Sequence, residues 1–263
     1  MNRRVADIEE YLELDGLQTR IRTHATYSET PDDIDATVLE HAAPDTGADV
    51  LDIGCGTGAL LRALSARHAG RIVGCDLSPE AVRGAAAIEG VGACWADATR
   101  LPFRDARFDL VMARHMLYHV SDVASAIREA RRVLAPEGSF VVTVNRRRPT
   151  PRTVALVRTS IEGVGVQPEQ DIPNERVHAD NVVELLLGSF ARVEVHEHDN
   201  ALVFPEPEPL IAYAASLLPF YGVGPVSSHR VRVLHVIARR ARAWFGEHGT
   251  WRDPKGYVVC VAR

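Results

Sequence analysis

The stretch from Val50 to Gly58, VLDIGCGTG, constrains this chain more than any other. A branched apolar run with one embedded aspartate breaks into alternate glycines. Leu60, Leu61 and Leu64 then follow at helical spacing. That order spells a buried strand, a tight turn and a helix start. Gly54, Gly56 and Gly58 remove side chains where the backbone must turn sharply and where a ligand can lie against bare peptide. A helix opening near Thr57 offers unpaired N–H groups. A nucleotide-like ligand is the first expectation, although a turn of this spacing also serves NAD enzymes.

The chain of 263 residues is long enough for one large α/β domain, and 46% hydrophobic with 25% charged residues is ordinary globular composition. A net charge of -5 argues against nucleic-acid binding by bulk charge. Cys55, Cys75, Cys94 and Cys260 are spread out, form no C-x-x-C pair and supply no clustered zinc ligands, so no metal is expected. The opening MNRRVADIEEYLELDG is too acidic and broken for a signal peptide, and no apolar run reaches membrane-spanning length. A cytoplasmic monomer or homodimer without a membrane partner is the expectation.

Taken in order, residues 1–30 read as one or two polar helices, with Ile8, Tyr11, Leu12, Leu17 and Ile21 at helical spacing. THATYSETPDD is then either a surface lead-in or a lid with His24 and Tyr27 facing a ligand. Ile34 to Ala42 reads as a helix with Asp32 and Asp33 at its start. Past the glycine turn, Arg71 to Asp76 reads as a second strand ending in an acid. Asp76 lies where a carboxylate on the next strand end meets a ribose held over the turn. A capping or turn role is the alternative, but Ser78, Pro79 and Glu80 already supply a helix start. The strand Gly92 to Asp97 ends in a third acid, placed to accept from an exocyclic amine while the Ala98 N–H donates to a ring nitrogen; a turn aspartate is again the alternative. A fourth strand, Phe108 to Ala113, a helix over 122–134, a turn at Pro136–Gly138 and a fifth strand, Ser139 to Asn145, complete a strict βαβ alternation. That pattern calls for a parallel sheet with right-handed crossovers.

VLDIGCGTG, GCDLSPEAV, WADATRLPF, FDLVMARHMLYHVSD and RRVLAPEGSFVVTVN together resemble the class I S-adenosylmethionine-dependent methyltransferases, close to their small-molecule branch called methyltransferase type 11. The resemblance is strong over about residues 45–145. It implies a Rossmann-like, doubly wound α/β sheet of seven strands, mostly parallel with one antiparallel edge strand, in a single domain. Residues 1–45 would form a helical lid, 46–145 the cofactor core, and 146–263 acceptor-side cap helices and the last two strands. It further implies S-adenosylmethionine as cofactor, with Asp52, Gly54, Gly56 and Gly58 bordering its methionine part. Asp76 and Leu77 would take the ribose side, Asp97 with Ala98 the adenine, and Arg114 would close the pocket near the sulfonium. Relatives with an R-x-x-x-H-x-x-Y segment like Arg20 to Tyr27 usually carry Asn before HMLYHV, so Arg114 departs from them.

Transfer from a sulfonium asks mainly for alignment, and a base only where the acceptor must lose a proton. His115, Tyr118, His119 and Tyr27 are the catalytic candidates, with packing against the cofactor as the alternative for each. RRRPTPR follows the fifth strand. A solvated face is the ordinary reading of such a run. Arg146, Arg147, Arg148 and Arg152, joined by His178, would otherwise hold a carboxylate or diphosphate. An alkene diphosphate such as isopentenyl diphosphate would leave a carbocation for Tyr27, Phe220 and Tyr221 to face. Two helices over 152–163 and 179–188, a sixth strand over 191–196, a cap helix after PEPEP, a helix over 230–244 and a last strand, Tyr257 to Ala262, fill the remainder. The leading expectation is methyl transfer to a small-molecule acceptor; a dehydrogenase and a non-catalytic cofactor-binding protein are the rivals.

Overall fold

Short runs of branched apolar residues, each leading into a helix, satisfy backbone and side chains together only in a sheet covered on both faces. The computed structural model, which describes residues 16–66, 70–170 and 175–263, contains that sheet. Its strands are β1 (Val50–Ile53), β2 (Ile72–Asp76), β3 (Val91–Trp95), β4 (Phe108–Arg114), β5 (Leu134–Asn145), β6 (Val193–Phe204) and β7 (Trp251–Ala262). The helices are α1 (Gly16–Tyr27), α2 (Ile34–Ala42), α3 (Ala59–Ser65), α4 (Pro79–Ala86), α5 (Val123–Val133), α6 (Pro151–Glu162), α7 (Val182–Leu187), α8 (Pro207–Leu217) and α9 (Arg230–His248).

The seven strands run in the order β3-β2-β1-β4-β5-β7-β6. β1 to β5 pair in parallel, and β7 pairs antiparallel with β5, Thr143 opposite Val259. The expected mixed seven-stranded sheet is therefore present. Its reversed strand has β6 as its outer neighbour.

The described residues divide into two compact units. The first comprises residues 33–147, 175–198 and 257–263 and holds the glycine turn. Alternation along its strands sends Leu51, Ile53, Val111 and Ala113 toward Ile127 and Ala130 of α5 and Val182 and Leu186 of α7. Val50, Leu110 and Met112 face the other way, toward Val38 and Leu39 of α2, Leu60 and Leu61 of α3 and Ala85 of α4. The sheet is thus wound on both faces. The crossover order fixes which strand ends lie side by side: β3, β2, β1 and β4 present consecutive carboxyl ends.

The second unit comprises residues 16–32, 148–170 and 199–256. Leu156, Val157, Ile211, Ala214, Val233, Leu234 and Ile237 form its core from α6, α8 and α9. α1 buries Thr19 and Thr23 and leaves Leu17 and Ile21 exposed, the reverse of what their apolar spacing suggests. Ile8, Tyr11 and Leu12 lie outside the described residues. Ion pairs of Arg252 with Glu29 at 2.7 Å and of Lys255 with Asp32 at 3.5 Å tie the segment after α1 to β7. Residues 33–45 belong to the sheet unit, where the Asp33 carboxylate caps α2 by accepting the Ala36 N–H at 3.0 Å.

Three strands are longer than their patterns suggest, and one of them, β7, begins at Trp251 rather than Tyr257. β5 starts at Leu134 because Ala135 to Gly138 form an irregularity inside the strand. Phe108 pairs with Leu134, but Leu110 pairs with Ser139. β6 continues from Val193 through HEHDN to Phe204. Those polar residues suit the end of a sheet, where charge discourages pairing with another chain.

Candidate functional site

Within the sheet unit, β1 ends in the turn that the glycines permit. Gly54 N and Cys55 N both donate to the Cys75 carbonyl, at 2.7 and 3.1 Å, which ties the turn to β2. Gly54 has φ +71°, and a Cβ there would stand 2.7 Å from Cβ of Met116. Gly56 has φ +51° but no side chain nearby, the nearest heavy atom to a built Cβ being the Gly54 carbonyl oxygen at 4.0 Å. The first glycine is demanded by packing. The second leaves bare backbone.

Asp76 closes the other side of this turn. Its Oδ2 accepts the Gly56 N–H at 2.9 Å and its Oδ1 the Ser78 N–H at 2.8 Å, while Ser78 caps α4. Each oxygen keeps a second lone pair for a ligand hydroxyl. Leu77 is 61% exposed, and its carbonyl accepts the indole N–H of Trp95 at 2.8 Å, itself 67% exposed at the end of β3. Asp97 lies just beyond that strand. Its Oδ1 accepts from both N–H and hydroxyl of Thr99 at 2.8 Å, and these bonds hold its carboxyl below the usual range. Asp97 is therefore a turn aspartate whose Oδ2 remains for a ligand, and Ala98 beside it is buried.

Asp52 is the most unusual group. Its side chain is buried with the residue only 2% exposed, and its Oδ1 has no hydrogen-bond partner. Burial pushes its pKa up to about 7, with the Arg114 charge opposing and the Asp35 and Asp76 charges adding. Arg114 ends β4, and its Nε stands 3.2 Å from Oδ1 of Asp35 on α2. Burial likewise raises Asp35 above the usual carboxylate range, again against Arg114. Asp35 and Met116 were not foreseen from sequence. Asp35 reads there as one more first-turn acid, and Met116 as one apolar residue of HMLYHV.

His115 follows Arg114 with φ +51°, a strained backbone for a residue with a side chain. Its N–H donates to the Thr143 carbonyl at 2.8 Å, and its ring lies 6.5 Å from that of Tyr118 and 6.1 Å from that of Tyr257. His119 is exposed and meets Tyr118 edge-on. Tyr257 also stacks on His198, whose Nε2 is 3.2 Å from that of His41, and His41 stacks on His196 at 3.8 Å. Two of these histidines belong to the polar stretch of β6, which carries no apolar rhythm to announce it. Among the described residues no cluster of metal-ligating side chains is found.

The substrate-side arginines are largely engaged by the protein itself. Arg146 pairs with Glu197 at 2.9 Å and Arg147 with Glu175 at 3.0 Å. His178 is buried in a local turn, its Nδ1 accepting the Asp180 N–H at 3.2 Å, and burial lowers its pKa. In the other unit, Arg152 lies 4.4 Å from the rings of both Trp244 and Trp251 and donates to the Arg252 carbonyl at 2.7 Å. Arg148 is exposed. Tyr27 packs on Phe204, Tyr221 is buried, and Arg20 covers Phe220 at 4.9 Å. His24, set edge-on to Tyr213, is pushed down to about 4 by burial and then by Lys255.

Residues 51–142 match the family described as "Methyltransferase domain". The chain is 37% identical over 101 residues to norajmaline N-methyltransferase of Rauvolfia serpentina, covering 36% of this chain and 35% of that one. It is 28% identical over 229 residues to a malonyl-[acyl-carrier protein] O-methyltransferase of Erwinia pyrifoliae, covering 84% and 79%. The chain spans between 30 and 49% of the length of the curated relatives that it matches at 36–37% identity. Among solved structures, a putative methyltransferase from an antibiotic biosynthesis pathway of Anabaena variabilis superposes with TM-score 0.62 at 16% identity, covering 88% of this chain and 96% of that one. The [4+2]-cyclase SpnF superposes with TM-score 0.55 at 21% identity over 94% and 95%. At such identities these two speak for the fold.

Proposed function

From a chain whose core, residues 51–142, belongs to the class I S-adenosylmethionine-dependent methyltransferases, we propose an enzyme that transfers a methyl group from S-adenosylmethionine to a small-molecule acceptor. The observation that carries the reading is the unpartnered, buried Oδ1 of Asp52 on the strand that leads into the bare backbone of Gly56. A buried carboxylate oxygen without a donor costs stability, and a cationic ligand offsets that cost. S-adenosylmethionine is such a ligand and fits the residues present. It has a ribose for the braced carboxylate of Asp76, an adenine amine for Oδ2 of Asp97, and an ammonium for Asp52. A nicotinamide dinucleotide would bring phosphates toward these acids instead.

When bound, the cofactor supplies a methyl group already activated on a sulfonium. The chain's part is to hold, orient and shield. Leu77 and Trp95 offer apolar surface beside Asp76, and Met116 closes over Gly54. For an acceptor that must lose a proton, His115 is the preferred base among the four candidates. It sits beside Arg114 on strained backbone, and imidazole is the commonest general base. His119 is too exposed to hold a proton path dry, and Tyr118 serves as its packing partner.

The acceptor is best read as small and without a diphosphate. Glu197, Glu175 and the Trp244–Trp251 pair already occupy Arg146, Arg147 and Arg152, so a diphosphate would have to displace them. The relatives' names include both N- and O-methylation, so likeness leaves the acceptor atom open. The test is methyl transfer from labelled S-adenosylmethionine to a metabolite panel, with calorimetry of S-adenosylhomocysteine against NAD. Labelled product and selective S-adenosylhomocysteine binding are expected. NAD binding alone would overturn the reading, and cofactor binding without turnover of any acceptor would favour a non-catalytic protein. Methyl transfer itself must be measured, because fold alone does not fix chemistry.

A further inference from the structure

Asp35 lies outside the residues that match the family, on a helix that begins well before the glycine turn. Its Oδ1 and the Arg114 Nε form an ion pair, with both side chains 24% exposed. The same guanidinium's charge also acts on Asp52, which is buried and has one oxygen unpartnered. Charges of negative, positive and negative sign therefore meet where β1 gives way to its turn. A structural ion pair needs no second acid, and adding a buried one weakens the fold. A ligand that itself carries both signs explains the excess. The contact is one of charge, since Oδ1 of Asp35, like that of Asp52, accepts no hydrogen bond, and Arg114 presents five N–H donors in a fixed fork.

We propose that Asp35 is a positioning residue: its ion pair with Nε orients Arg114 so that the guanidinium donors serve the carboxylate of an α-amino-acid head group, while Asp52 takes the ammonium. The proposal rests on the S-adenosylmethionine reading and deepens it. It makes the chain a reader of the amino-acid tail as well as of the nucleoside. Arg62 and Asp33 also act on Asp35, and Asp76 on Asp52, so the device is not a two-body affair. An ammonium beside Asp52 favours its ionised form, which makes tail binding release a proton near neutrality.

The experiment measures binding to the full-length protein by calorimetry, using S-adenosylhomocysteine and 5′-methylthioadenosine, which lacks the amino-acid tail. Asp35→Asn is expected to weaken S-adenosylhomocysteine about tenfold, the scale of one charge-assisted contact, and to leave 5′-methylthioadenosine unchanged. Adding Asp35→Asn to Arg114→Met is expected to cause no further loss, since one acts through the other. Asp35→Glu, which keeps the charge, is expected to restore part of the discrimination. Equal losses for both ligands, no loss for S-adenosylhomocysteine, or a Glu variant no better than Asn would overturn the proposal. Wild-type protein that binds neither ligand would bring down the cofactor reading itself.

Discussion

Oδ2 of Asp76 accepts the Gly56 N–H across 2.9 Å, so the carboxylate that ends β2 is fixed by the turn that ends β1. Asp76→Ala therefore removes the proposed ribose contact and a brace together. We expect S-adenosylhomocysteine affinity to fall by about tenfold or more, and amide exchange at Gly56 to quicken. Calorimetry and hydrogen exchange on the same sample check both, and unchanged affinity would sink the ribose role.

Asp52 makes stability depend on pH. Its folded pKa of about 7 lies above the ordinary 3.8, so the stability it contributes is full below about pH 4 and is lost as pH rises through 7. Asp52→Asn should therefore gain on the wild type, by a few kcal/mol, between pH 5 and pH 8. Urea denaturation at the two values decides it. A variant whose advantage does not grow with pH contradicts the assignment.

The two glycines of the turn should respond differently. Gly54→Ala drives a methyl into Met116 on a positive-φ backbone and should destabilise by roughly 2–4 kcal/mol. Gly56→Ala meets no neighbour and should lose only about 1 kcal/mol of stability, while still weakening cofactor binding. Thermal melts and calorimetry separate the effects.

Arg152, between Trp244 and Trp251, is read as a packing element. Arg152→Ala should lower stability by about 1–3 kcal/mol through lost cation–π and stem contacts. KM for an identified acceptor should stay within about twofold, the scatter of a surface change. A large rise in KM without loss of stability would return Arg152 to the substrate side.

His24 runs opposite to Asp52. Its pKa of about 4 lies below the ordinary 6.5, so the stability linked to it is present above 6.5 and is lost as pH falls toward 4. His24→Gln should flatten the acid limb of the stability profile. An unchanged limb would show that His24 carries no such penalty.

The sheet was legible because parallel strands buried on both faces are mostly branched and apolar, as β1, β2 and β4 are apart from the acids Asp52, Asp76 and Asp109 and the terminal Arg114. Asp76 was legible because chain spacing along a βαβ unit fixes which strand ends meet. β6 was read too short, since a polar edge strand carries no apolar signal. For the arginines a solvated face and a ligand cradle both stayed open, because composition does not reveal partners. Glu175 and Glu197 become neighbours only once the chain has folded. Asp35 was invisible for the same reason: its meaning is the guanidinium it faces.

Trp95 gives the molecule a built-in optical reporter. Its indole stands in water at the end of β3, anchored to the backbone of Leu77, and the other two tryptophans lie in the second unit. On the proposed cofactor reading, a purine bound at the ends of β2 and β3 would change the emission of that ring without any dye, so that occupancy of the adenosyl end could be followed by light.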